Sequence, residues 1–124
     1  MFERIGKIKS TNLGKEDHGI MTFWLQFDFG GSGQGFGGYA LDDYSEEEKR
    51  RIGTAAGMDA IIQILRVCDV NNWEDIQGKT LYALYDNDEY GQLIKGIKGL
   101  PFESNKIFLM NEWQEKWFPK EDKK

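Results

Sequence analysis

Ile20-Met21-Thr22-Phe23-Trp24-Leu25-Gln26-Phe27-Asp28-Phe29 alternates in character from Thr22 to its end. Side chains alternate across a strand with a period of two. Phe23, Leu25, Phe27 and Phe29 therefore share one face, and Thr22, Trp24, Gln26 and Asp28 share the other. The first face is a core face, so the stretch predicts a half-buried strand. Upstream, Arg4 to Ser10 reads as a first strand, with Ile5 and Ile8 apolar and lysines between. Asn12 to Gly19 is turn material. These two strands then make a hairpin with a polar tip.

Downstream lies Gly30-Gly31-Ser32-Gly33-Gln34-Gly35-Phe36-Gly37-Gly38, and Phe36 to Leu41 reads as a returning third strand. Ser45-Glu46-Glu47-Glu48 has a capping-box pattern, in which the Ser45 hydroxyl accepts from the Glu48 N–H. It predicts a short charged helix ended by Gly53. Thr54 to Val67 predicts the main helix, with Thr54 as N-cap. Ala55, Met58, Ile61, Ile62 and Leu65 fall on one of its faces. Asn71 to Ile76 reads as a capped single turn stopped by Gly78. Thr80 to Asp86 and Gln92 to Lys98 predict a second hairpin, joined by Asn87 to Gly91. Asn111 through Phe118 predicts a last helical turn before Pro119. Strands, helix, then strands again predicts an α+β fold: a mainly antiparallel β-sheet packed against one main α-helix, with short extra helical turns.

The 124 residues fit a single domain over 1–124, with a charged tail from Lys120 to Lys124 expected to fray. Aromatics at 14% are too many for a disordered chain. A net charge of −5 argues against direct nucleic-acid binding, which needs a basic footprint. One cysteine, Cys68, leaves no intramolecular disulfide and no thiolate metal cluster. No apolar run approaches a membrane span, and MFERIGKIKS does not read as a secretory leader. No metal, cofactor or membrane is expected.

Gly33-Gln34-Gly35-Phe36-Gly37-Gly38 fits the spacing G-x-G-x-x-G. A dinucleotide fingerprint needs a strand, a tight turn and then a helix. Here Phe36, Tyr39 and Leu41 have strand character instead, and Asp42-Asp43 would repel a pyrophosphate. The segment is either a flexible hairpin connection or a loop whose bare backbone N–H groups meet a ligand or partner. Gly53-Thr54-Ala55-Ala56-Gly57 opens the main helix just after Arg50 and Arg51. Free N–H groups and the positive end of the helix dipole favour an anion there. Ordinary capping with close helix packing is the competing account.

Tyr82 and Tyr85 lie on opposite faces of one strand, so one can be core while the other stacks on a base. Gln92 offers an amide for a base edge. Trp113 and Trp117 are four apart and share a helix face, either docking on the domain or a second subunit, or touching a ligand. His18 reads as a solvated turn histidine and Cys68 as a small buried hydrophobe.

Several stretches together resemble small phage and prophage proteins, and among them the first-described type of Thoeris anti-defence protein. They are Ile5 to Gly14 with Glu16-Asp17-His18-Gly19, Gly30 through Asp42, Gly53-Thr54-Ala55-Ala56-Gly57-Met58, and Trp73-Glu74-Asp75-Ile76-Gln77-Gly78-Lys79. The likeness covers about residues 4 to 118. It implies a sponge in the cytoplasm of an infected bacterial host. Such a protein holds a cyclic ADP-ribose isomer, made by a TIR-domain enzyme, without cleaving it. It also implies homo-oligomers, a dimer or a hexamer, and cyclic oligonucleotides held at separate sites. In that family an aromatic and an amide ten residues apart help form the pocket, a spacing matched by Tyr82 and Gln92. Its pocket also uses arginines near the C-terminus, where Leu109 and Trp113 stand here.

The candidate ligand-binding residues are thus Tyr82, Gln92, Gly33, Gln34, Phe36, Arg51, Gly53, Thr54, Ala55 and Trp113. No catalytic set is visible, so a non-enzymatic binder of a cyclic nucleotide signal is the leading expectation. Its rival is a protein-binding inhibitor, such as an anti-CRISPR protein, that presents Asp42, Asp43, Glu46, Glu47 and Glu48 to a basic channel. A phosphoesterase built on His18 has no partner residues in view.

Overall fold

The computed structural model describes residues 1–120, so residues 121–124 of the charged tail lie outside the described residues. Its architecture is α+β, with eight strands and two helices. The strands are β1 (Phe2–Lys15), β2 (Met21–Asp28), β3 (Gly33–Gly37), β4 (Asp42–Ser45), β5 (Arg50–Gly53), β6 (Thr80–Tyr85), β7 (Gly96–Lys98) and β8 (Ile107–Leu109). The helices are α1 (Ala55–Cys68) and α2 (Met110–Trp117), with single 3-10 turns at Asp17–Gly19 and Trp73–Asp75. Six strands form one antiparallel sheet in the order β3-β2-β1-β6-β7-β8, while β4 and β5 form a separate hairpin.

The alternation in β2 sets the layers. Phe23, Leu25 and Phe27 are buried and join Ile8, Phe36, Leu81, Ala83, Ile97 and Phe108 in one core with α1 and α2. The opposite face carries Trp24, Gln26 and Asp28, and no helix of the described residues contributes to it a buried core cluster. β1 runs further than its sequence suggests because of a bulge at Lys9. The extra residue shifts the side-chain phase, so Ile8 and then Thr11 and Leu13 face the core side. A single alternating pattern could not reveal it.

Three expectations are corrected. The helix predicted from Ser45 to Gly53 is the β4–β5 hairpin. The Ser45 hydroxyl does accept from the Glu48 N–H at 3.0 Å, and the Lys49 N–H bonds the Ser45 carbonyl at 2.8 Å. Lys49 then turns left-handed, with φ 58°, and ends the turn after one cycle. The third strand is Gly33–Gly37 rather than Phe36 to Leu41, so the glycine run is itself a strand. The second strand of the later hairpin is only Gly96–Lys98, which leaves Gln92 in the connection.

The core face of α1 is also not the one its largest apolar residues mark. Ala56, Gly57, Ala60, Ile64, Val67 and Cys68 are buried, while Met58 and Ile62 are 57% and 47% exposed. Close packing explains the choice. A Cβ on Gly57 would strike the Leu41 carbonyl, because the chain entering from β3 crosses the helix start there. Small residues let the helix approach, and the larger ones are turned outward.

Gly57→Ala should therefore destabilise the fold by about 1–3 kcal/mol in urea unfolding, although alanine is the better helix former. Gly53→Ala, whose added Cβ meets nothing, should stay within about 0.5 kcal/mol of the parent.

Candidate functional site

The best-equipped hollow lies at the sheet end where Phe2 pairs with Tyr85. It has a volume of about 580 Å³ and is lined from β1, the β2–β3 turn, β3 and the loop after β6. That size suits a small-molecule ligand. None of its lining residues belongs to a helix.

Each wall has a local cause. Asp28 accepts from the Gly30 N–H at 2.9 Å, and Phe29 N–H bonds the Ser32 carbonyl at 2.8 Å. Gly30 has φ 99°, a conformation that favours glycine, so the turn closes tightly. The Arg4 guanidinium lies 4.1 Å above the Phe29 ring and donates to the Ser32 hydroxyl at 3.2 Å. Among the described residues it has no carboxylate partner. Arg4 is thus a positioned cation with donors to spare.

Gln34 sits between two elements distant in sequence. Its side-chain oxygen accepts from the Tyr85 hydroxyl at 2.8 Å, and its nitrogen donates to the Gln92 carbonyl at 2.9 Å. Burial pushes the Tyr85 hydroxyl above its usual pKa, against the opposing pull of Arg4, so it remains a protonated donor. Phe2 packs near Tyr85 with ring centroids 6.2 Å apart. The Gln92 side-chain amide makes no hydrogen bond to the described residues, and it lines the hollow with Tyr90. Asp88 and Glu89 form the acidic outer rim.

Gly33, Gln34 and Gln92 are therefore brought together. Tyr82 is not with them: it pairs with Ile5 and Lys98 on the opposite sheet face, and Lys98 lies 5.6 Å over its ring. Phe36 is 1% exposed, in edge contact with Phe23 and Phe108, and serves the core. Trp113 is buried too, its indole N–H donating to the Ala56 carbonyl at 2.8 Å, so it docks α2 on the start of α1.

Arg51, Gly53 and Thr54 line a second hollow of about 450 Å³ with Lys15 and His18. Its Arg51, Asp42 and Thr54 side chains are already engaged. Arg51 forks onto Asp42 with contacts of 2.9 and 2.8 Å, and the same carboxylate accepts from the Met21 N–H at 3.2 Å. The Arg51 hydrogen bonds hold the Asp42 carboxyl below its ordinary range and raise Arg51 in return. Thr54 accepts from the Gly57 N–H at 2.9 Å and donates to the Leu41 carbonyl at 3.1 Å. Ala55 is the exposed first residue of α1. This end of the molecule ties the hairpin and helix to β2.

Arg4, Phe2 and Ser32 carry no signal in the sequence that marks them as ligand contacts, and Tyr85 enters there only as the alternative to Tyr82. Tyr85 shares a strand face with Leu81 and Ala83, which hints at its inward direction. The β1–β6 register that brings Phe2 and Arg4 beside it leaves no local mark. Cys68 is buried, and burial pushes its thiol up to about 12, so it stays an unreactive hydrophobe. No group of three potential metal ligands occurs among the described residues. No helix among them is long and apolar enough to cross a membrane.

No protein-family model, curated protein or solved structure matches the chain.

Asp42→Asn should cost about 1–3 kcal/mol at neutral pH, the scale of hydrogen bonds to charged groups. Because the folded pKa of Asp42 is lowered from 3.8, its contribution is present above that value and fades as pH falls below it. The parent should lose stability between pH 5 and lower pH more steeply than the variant, as acid titration by circular dichroism would read. Parallel acid curves would contradict this role.

Proposed function

We propose that the protein is a non-catalytic sponge that binds a cyclic nucleotide signal, a cyclic ADP-ribose isomer foremost, and holds it uncleaved. The observation that carries the proposal is the hollow beside β3. It joins an Arg4 with no acidic partner among the described residues, a glycine turn, the Phe2, Tyr85 and Tyr90 rings and the Gln34 and Gln92 amides. Such a ligand has phosphates, ribose hydroxyls and a purine. Arg4 and the Ser32 hydroxyl suit the phosphates. Asp88 and Glu89 suit ribose hydroxyls, and Gln92 with Tyr90 suits the base. A chain of net charge −5 can still hold an anion there, because local hydrogen bonds and a nearby cation act within about 8 Å at physiological salt.

The sequence resemblance supports the same reading and adds its setting, a phage protein acting in the host cytoplasm as a homo-oligomer. The pocket proposed here differs from the one the resemblance implies. Tyr85 replaces Tyr82 beside Gln92, and Arg4 supplies the charge that Leu109 and Trp113 cannot. Arg51, Gly53 and Thr54 take structural roles in this proposal. The protein-inhibitor alternative loses support from the hairpin's own charges. Glu46, Glu47 and Glu48 are followed directly by Lys49, Arg50 and Arg51, and Arg50 lies 3.5 Å from Glu48. The tip therefore presents mixed charge rather than an acidic patch.

Calorimetry with cyclic ADP-ribose isomers and with cyclic di- and trinucleotides tests the proposal. Saturable binding to one of them is expected, and mass spectrometry after heat denaturation should recover that ligand intact. Arg4→Ala should weaken binding by about tenfold or more, since a charge-assisted hydrogen bond contributes about 1.5–3 kcal/mol. Recovery of altered ligand would point to an enzyme. No binding to any of the set would end the proposal.

A further inference from the structure

The glycines of β3 leave a second feature, separate from whatever the hollow binds. β3 is an edge of the six-stranded sheet, paired among the described residues with β2 alone. Its ladder has a definite phase. The Phe29 N–H bonds the Ser32 carbonyl and the Gly38 N–H bonds the Phe23 carbonyl, each at 2.8 Å. Alternate antiparallel pairs exchange hydrogen bonds. Those two end bonds place Leu25–Phe36 and Phe27–Gln34 among the bonded pairs. The N–H and C=O groups of Gly33, Gly35 and Gly37 consequently point away from β2. Among the described residues nothing hydrogen-bonds them.

Natural edge strands are usually blunted by lysine, proline or inward charge. Gly33–Gly37 contains none of these. The opposite edge, β8, spans only Ile107–Leu109. On the outer sheet face β3 has no side chains at all, since its outward-phase residues are the three glycines.

We infer that β3 pairs with β3 of a second copy of this chain, antiparallel about a two-fold axis at Gly35. The occupant follows from the array itself. Gly35 meets Gly35 of the copy, and Gly33 meets its Gly37, so every outward N–H finds an outward carbonyl. A two-fold interface requires this self-complementarity. Charge selects the same contact: two chains of net charge −5 repel, and this strand brings no charged side chain to the seam. The pairing would extend the sheet through both copies.

Amide hydrogen exchange by NMR, run at low and high micromolar protein beside sedimentation equilibrium, tests the inference directly on the unmodified chain. The Gln34 and Phe36 amides, bonded to β2, should be protected throughout. The Gly33, Gly35 and Gly37 amides should exchange roughly tenfold or more slowly where the dimer forms than where the chain is dilute. A dimer whose three glycine amides still exchange freely would overturn edge pairing while leaving self-association intact. A monomer at all concentrations would overturn both. Neither result bears on nucleotide binding, which calorimetry reads separately.

Discussion

Steric exclusion along β3 is the constraint on which the rest of the molecule turns. A Cβ at Gly35 would strike the Gln26 side-chain oxygen and crowd the Trp24 indole at 3.1 Å. One at Gly37 would strike the Phe23 carbonyl, and one at Gly38 would meet the same indole at 2.6 Å. Trp24 and Gln26 lie across the strand in the space that side chains would otherwise fill. Only alternate glycines allow this. The residues between them face the core side, where Phe36 fills the interior and Gln34 bridges Tyr85 to Gln92. A single five-residue strand thus shapes core, hollow and edge.

A second close approach operates at the other end of the sheet. There Gly57 admits the Leu41 carbonyl, Thr54 caps α1, and the Asp42–Arg51 fork binds the hairpin to β2. Both ends are rich in glycine and near arginine, yet they do different work. At the helix start the Arg51, Asp42 and Thr54 side chains and the Gly57 N–H are bonded within the fold. Beside β3 the Arg4 donors and the Gln92 amide are left facing the hollow. The Thr54 cap takes one of the N–H groups through which a helix N-terminus attracts anions, and Asp42 neutralises the neighbouring Arg51. That contrast favours the β3 hollow for a phosphate-bearing ligand.

Much of this was legible in the residues. The alternation of β2, the capped start of α1 at Thr54, the turn near Trp73, β6 and the last helix all follow local patterns, because local geometry decides them. Other features depend on contacts that no local pattern records. The Ser45 cap forms as expected, but the left-handed Lys49 converts its turn into a hairpin. The inner face of α1 is set by what it must approach, so Ala56, Gly57 and Ala60 displace Met58 and Ile62. The candidate site divides for the same reason. The resemblance pairs Tyr82 with Gln92, but the sheet phase sends Tyr82 to the far face and leaves Tyr85 beside Gln34.

Chemical-shift mapping during titration with a cyclic ADP-ribose isomer tests the proposed site most directly. The account predicts that the amides of Ser32, Gly33, Gln34 and Gln92, with the Arg4 side chain, shift together and saturate at one ligand per hollow. Shifts confined to Gly53, Thr54, Ala55 and Gly57 would move the ligand to the helix start and contradict it.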